Sequence, residues 1–408
     1  MTDPTKVLVL DDDPDVAKGW VEQIRERFSA KDRYRVSAPN DQSAIENSVH
    51  EIIMRQLSAR DGKDRKREYT LFDDHDVLIV DYDLVHIDDS TGRYTGEGIG
   101  RIVRCFSDCS LIIVMNQFAE TDFDLTQRGN ISSHADLNIN STLITNPALW
   151  GACDDGVSFC PWHWAPIDYE LKRVRACAIE LSEAGRDASI LELLGFDLEL
   201  ASRLSDEALG FLAPAAESIE QALATTSTTF LAENSAAAER KDADAMLKSE
   251  ESQWAKVVAS RVTKWLDRSV ANRRDLVIDL PHLVERYPFL MPETKRQSLE
   301  DWNKLSTPEA AEWFKDSIPE QVWFKRHSWL LRPSVWLPRL QANDAFQKQL
   351  STYDFSDAPD FVFQEDASQF APSDKSKPFK AQLNSPFERR FLQHFTEIKY
   401  APRRRFSL

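Results

Sequence analysis

Two short apolar runs that each stop on aspartate constrain this chain more than any other feature. Val7 to Leu10 ("VLVL") runs into Asp11, Asp12, Asp13 and Pro14, and Asp76 to Val80 ("DVLIV") runs into Asp81. An uninterrupted apolar run of strand length signals a strand buried on both faces. The stretches around these runs carry helical spacing. Pro14 suits the first turn of a helix, and Val16, Trp20, Ile24 and Phe28 then fall on one face. Tyr34 to Ala38 reads as a second strand. Ala44, Ile45, Val49, Ile52, Ile53 and Leu57 give a second amphipathic helix. The charged stretch from Ser58 to His75 reads as a helix extension and an inserted loop. "GEGIGRIVRCF" gives a third helix with Ile99, Ile102, Val103 and Phe106 inward, Leu111 to Met115 a fourth strand, and Thr142 to Thr145 a fifth.

Strands alternating with helices imply right-handed βαβ units and a parallel sheet. The expected fold class is therefore α/β: a doubly wound, five-stranded, flavodoxin-like N-terminal domain, followed by a mainly α C-terminal region. Such sheets bind ligands at the carboxyl ends of their strands. Asp11, Asp12, Asp13 and Asp81 all fall on that edge. Carboxylates gathered there repel one another unless a cation lies among them. Mg²⁺ suits such a set, because it takes one or two carboxylates and completes its shell with water and phosphate oxygens. It would also prepare the edge to receive a phosphoryl group. A solvated acidic loop is the competing reading, and the recurrence of aspartate after a second apolar strand favours the metal.

At these residues the chain resembles the receiver domain of bacterial two-component response regulators. "KVLVLDDDPD" is similar to that family's first strand and acidic pair, and "DVLIVDYDL" to its third strand and phosphoacceptor. The resemblance covers about residues 1–150. It implies that Asp81 takes a phosphoryl group from a histidine kinase or phosphotransfer protein. It also implies that Mg²⁺ is held by Asp12, Asp81 and the backbone carbonyl of Asp83, with Asp11 acting through water. Two departures from the family's pattern imply that any receiver here is atypical. Where the family has Thr or Ser after the fourth strand, "LIIVMNQ" has Asn116, an amide without a hydroxyl rotor. Where the family has lysine before proline after the fifth strand, one alignment places Asn146 and another, anchored on "ADLNI", places Ser141. No lysine occurs between Lys66 and Lys172. A missing compact cation weakens stabilisation of a bound phosphoryl group and disconnects the usual switch.

Two other classes fit parts of the sequence. A haloacid-dehalogenase-type phosphatase would use Asp11 as nucleophile and Asp13 as its DxD partner. The residue two beyond the second aspartate is Asp15, however, where that family usually has Thr or Val. A non-phosphorylated structural adaptor is the third class. Gly96, Gly98 and Gly100 half-match a dinucleotide fingerprint but do not follow a first strand, so a helix entry is the better meaning.

The remaining organisation is expected as a linker or last receiver helix over 151–186, a helical region of unknown output over 187–345, and a tail with a short strand at Phe361 to Phe363 over 346–408. The stretch from Ser235 to Val270 reads as one long helix whose polar first half projects from the body. The helices between Ser189 and Ala224 invite a helix-turn-helix reading, but their faces are acidic, and a recognition helix offers cations. With a net charge of −17 the chain repels nucleic acid overall. The exception is a basic cluster at Arg389, Arg390, Lys399 and Arg403 to Arg405, which leaves nucleic-acid contact open without favouring it. Nothing approaches the ~20 apolar residues of a membrane span and the N-terminus lacks a signal-like run, so a cytoplasmic protein working through protein partners is expected. The 5 cysteines include Cys153 and Cys160, which with His163 form a weak zinc candidate without a CxxC pair. The tryptophans at 302, 313, 323, 329 and 336 read as core or partner surface.

Overall fold

The structure is a computed structural model describing residues 3–28, 33–63, 65–84, 94–116, 131, 133–152, 165–234, 237–249, 253–271, 274–354, 360–378 and 391–393. Its centre is a five-stranded, all-parallel sheet built from β1 (Thr5–Leu10), β2 (Tyr34–Ser37), β3 (Val77–Asp81), β4 (Leu111–Asn116) and β5 (Leu137–Asn140). Their spatial order is β2-β1-β3-β4-β5, a common doubly wound arrangement. The apolar runs behave as doubly buried strands. Val7, Val9, Val77, Ile79, Ile113 and Met115 enter one core, and Leu8, Leu10, Leu78, Val80, Ile112 and Val114 enter the other.

The helices α1 (Pro14–Phe28) and α4 (Ile167–Ala184) cover the first face. The second is covered by α2 (Gln42–Arg60) and α3 (Gly96–Phe106). The expected inward face of α1 is rotated by one position. Ala17, Val21 and Ile24 are buried, Trp20 and Phe28 flank them half-buried, and Val16 is exposed. A small Ala17 lets the helix approach the sheet, and the large rings pack beside it. In α2, Leu57 is exposed while Ser48, Glu51, Arg55 and Gln56 are buried. The charged insertion is responsible: Arg55 makes a two-pronged pair with Asp73 at 3.0 and 2.8 Å, and Arg65 reaches Glu51 at 2.7 Å.

The fifth strand is displaced from its expected place. Leu137–Asn140 pairs with β4 in the register Ile113↔Leu137 to Asn116↔Asn140, and Ser141–Leu143 is a 3₁₀ turn. Asn140 stops the strand by accepting the Thr142 N–H at 3.2 Å.

The expected long helix is two helices, α5 (Arg240–Lys248) and α6 (Gln253–Trp265). The first does not project: its Asp242 is fully buried and binds Gln56 of α2 at 2.9 Å and Arg101 of α3 at 2.5 Å. The second packs along both α3 and α4, so it spans the β5 edge from one face of the sheet to the other. One continuous core joins the sheet to α6 and on to Trp336. A second core lies beyond it, formed with β6 (Val277–Asp279), α7 (Leu280–Arg286), β7 (Ser334–Trp336), β8 (Phe361–Gln364) and β9 (Gln369–Pro372). The region after Val277 thus mixes 3₁₀ turns with a two-stranded and a four-stranded sheet. Trp302, Trp329 and Trp336 are core residues. Among the described residues no helix is long and apolar enough to cross a membrane.

Candidate functional site

The ends of β1 and β3 lie side by side, since Leu10 pairs with Val80. Asp11 and Asp81 therefore leave neighbouring strands at the carboxyl edge, and both are nearly buried, at 7% and 3% exposure. Backbone groups hold each of them. Asp11 Oδ1 accepts the Asp13 N–H at 2.8 Å, and Asp81 Oδ2 accepts the Asp83 N–H at 3.0 Å. The other oxygen of Asp81, Oδ1, is buried without a hydrogen-bond partner among the described residues. A buried carboxylate oxygen in that state carries an unrecovered desolvation cost.

The electrostatics follow from this crowding. Burial pushes the Asp11 acid up to about 7, against the Asp13 N–H, and the Asp12 and Asp81 carboxyls add to the rise. Burial also raises Asp81, opposed by the N–H groups of Asp83 and Tyr82 and reinforced by the charges of Asp12 and Asp83. A cation at this edge would relieve both effects.

Asp12 is half-buried, whereas Asp13 and Asp83 are exposed. Asp13 Oδ1 accepts the Asp15 N–H at 2.9 Å, and Asp13 O accepts the Ala17 N–H at 3.2 Å. The third aspartate of the run thus starts α1 rather than facing the edge. Asp83 and Leu84 pair with Thr95 and Tyr94 in a two-residue ladder that leads directly into α3. Gly96 is obligatory at that junction, because a Cβ there would lie 2.2 Å from the Asp81 carbonyl oxygen. Its N–H donates to Tyr82 O at 2.9 Å. The glycine that suggested a dinucleotide fingerprint therefore serves close packing of α3 onto the end of β3.

The remaining sequence-derived residues separate. Asn116 ends β4, and its side chain lies outside what is described. Ser141 immediately follows β5, with its hydroxyl 3.4 Å from Asn140 Oδ1. Asn146 lies five residues further on, where Oδ1 caps the Ala148 N–H at 2.9 Å ahead of the buried Trp150. The alignment anchored on "ADLNI" therefore matches the observed strand. The zinc candidate Cys153, Cys160 and His163, most of the segment between β4 and β5, and the basic cluster from Arg389 to Arg405 lie outside the described residues. Cys105, Cys109 and Cys177 are free and buried.

Among the described residues no three His, Cys, Asp or Glu side chains already converge as a cation cage. A Mg²⁺ ion here would have to draw on the nearly buried Asp11 and Asp81 and the half-buried Asp12 without a preformed cage, with the rest of its shell supplied by water and phosphate oxygens.

Sequence reasoning missed a polar network at the β5 edge. Asp136 pairs with the buried Arg104, accepts the Ile112 N–H at 2.7 Å and accepts the Ser260 hydroxyl of α6 at 2.6 Å. Lys264 of α6 donates to Ser133 O at 2.8 Å and to Ala135 O. Glu97, in the first turn of α3, accepts the Ser133 hydroxyl at 2.6 Å and the His134 N–H at 2.8 Å. The one available signal was the unusual mixture of Ser260, Arg261 and Lys264 within the apolar half of that helix. No family model matches the sequence, and comparison with curated proteins and with solved structures gives no match.

Proposed function

We propose that this chain is an atypical receiver-type signalling protein of the cytoplasm. In this reading Asp81 is the phosphoacceptor, a histidine kinase or phosphotransfer protein is the donor, and the downstream region is the output, acting through protein contacts. The observation that carries the reading is Asp81 itself. It stands nearly buried at the carboxyl edge beside Asp11, with Oδ2 held by the Asp83 N–H and Oδ1 without a partner among the described residues.

The chemistry that follows is limited and specific. Oδ1 of Asp81 attacks phosphorus, the donor's leaving group departs with the bonding pair, and an acyl phosphate results. The Asp83 N–H orients the carboxylate for that attack. Mg²⁺, held by Asp12, Asp81 and the Asp83 backbone carbonyl with Asp11 acting through water, would neutralise charge on the transferring oxygens. Ser141, rather than an ammonium, follows β5, so the product would be less stabilised than in an ordinary receiver. The docking of α5 and α6 on α2, α3 and α4 gives a physical route from the acidic edge to the downstream region, because α3 begins at Gly96 against Asp81. The same Ser141 supports a second reading, an adaptor that signals without phosphate. The phosphatase reading has less support, since Asp13 is exposed and engaged with Asp15.

The test is incubation of the full chain with Mg²⁺ and acetyl phosphate, followed by intact-mass analysis with Asp81→Asn alongside. Gain of one phosphoryl group that the variant lacks supports the receiver. No gain, with kinase donors also negative, leaves the adaptor. Steady turnover abolished by Asp11→Asn but not by Asp81→Asn would establish the phosphatase.

A further inference from the structure

Far from the acidic edge, a cleft of about 690 Å³ opens between the segment Asp187 to Gly195 and the residues Lys325, Arg326, Trp336 and Arg339. That volume is in the range of small-molecule sites. Its charges are divided. Asp187 and Glu192 are exposed in its lining, and Lys325, Arg326 and Arg339 share that lining.

The cationic part of the lining is built rather than incidental. Arg326 is fixed by Nε donating to Leu193 O at 3.1 Å and by Glu180 at 2.7 Å. Arg339 is fixed by Gly195 O at 3.2 Å and Asp197 at 2.8 Å, with its guanidinium 5.4 Å from the Trp336 ring centre. A guanidinium has five N–H donors, so both keep donors beyond those bonds. Lys325 is exposed and makes no ion pair among the described residues. Trp336 lines the same cleft, fully buried, with an indole N–H that has no acceptor among the described residues. Gly195 lies over it at φ +89°, and even a Cβ there would stay 4.0 Å from the indole nitrogen, so that edge of the ring is uncrowded.

An anion alone would meet carboxylates in the same lining, and a cation alone would meet the arginines. We propose that the cleft binds a small dipolar molecule of the α-amino-acid class. Its carboxylate is received by Lys325, Arg326 and Arg339, and its ammonium by Asp187 and Glu192. Charge-assisted hydrogen bonds at both ends fix the orientation, and the remaining volume takes the ligand's side chain. The inference is independent of Asp81 and would give the downstream region an input of its own.

The experiment is calorimetric titration of the full chain with each common α-amino acid, and with inorganic phosphate as an anion lacking an amine. Lys325→Glu and Glu192→Lys are the variants; both side chains are exposed, and circular dichroism verifies their folding. The expected result is saturable binding of at least one amino acid at millimolar concentration, weakened by roughly tenfold or more in each variant, with phosphate bound more weakly. Absence of binding by every amino acid, binding unchanged in both variants, or phosphate bound as tightly as the best amino acid would each overturn the proposal.

Discussion

Removing the Asp136 carboxylate tests whether α6 is an integral cover of the β5 edge. Asp136 serves three partners, Arg104, the Ile112 N–H and the Ser260 hydroxyl, and Arg104 is only 3% exposed. Asp136→Ala leaves that guanidinium buried and uncompensated, which costs ~3–5 kcal/mol. Ser260→Ala removes one hydrogen bond to a charged acceptor, worth ~1.5–3 kcal/mol. Because the two residues touch, the double variant should cost less than the sum of the singles, with a coupling of about 0.5–3 kcal/mol. A chain of 408 residues need not unfold in one step, so the appropriate readout is amide hydrogen exchange on α6 peptides, which measures local opening. Both single variants should speed exchange in α6 and at Ile112 while leaving β1 and β2 protected. If exchange in α6 is unchanged by Asp136→Ala, or the two substitutions add without coupling, the helix does not rest on this network.

Other consequences can be measured directly. Gly96→Ala forces a Cβ against the Asp81 carbonyl at 2.2 Å and should destabilise by ~1–3 kcal/mol, read as a lower melting temperature together with loss of acetyl-phosphate labelling. Mg²⁺ should raise the melting temperature of the parent protein by mass action and should do so much less in Asp81→Asn. Burial raises the Glu285 acid to about 7 from 4.5, opposed by His282 and Arg274. Its folded value is above its unfolded one, so the folded state binds the extra proton, and stability present at low pH is lost as pH rises through about 4.5 to 7. Glu285→Gln should flatten that slope in melting temperatures, by ~1–2 kcal/mol once solvent screening is allowed for. Burial pushes the Cys105 and Cys109 thiols up to about 12, so their peptides should stay unlabelled by iodoacetamide at about pH 8 until denaturant is added.

The doubly buried strands were legible because Val7 to Leu10 and Val77 to Val80 are apolar on both pleat faces, a pattern few other elements share. The acidic edge was legible for the same reason, since whatever follows such a strand must emerge at the carboxyl end. The fifth strand was not. "LNIN" carries two asparagines, and nearby "TLIT" offers stronger β-formers. What decided between them was tertiary: pairing with Ile113 to Asn116, and Asn140 capping the turn that follows. The polar side of α2 was hidden because its partners, Asp73 and Asp242, lie 18 and 186 residues away from the residues they bind. Hydrophobic spacing carries no information about such partners. The break between α5 and α6 was missed for a related reason, because a polar stretch reads as solvent-facing unless the buried Asp242 pairing is known.

The position of α6 also has a kinetic meaning. The edge strand ends at Asn140, and the helix that covers it begins only at Gln253. During synthesis the ribosome must add more than a hundred residues after β5 before its cover exists. Until then the open edge exposes unpaired backbone groups and the apolar flanks of α3 and α4. Long-range closure of this kind is slow, and the waiting intermediate is prone to misassociation. A fragment stopped near residue 186 should therefore be recovered as aggregate, and chaperone dependence should end only after Trp265 has cleared the exit tunnel.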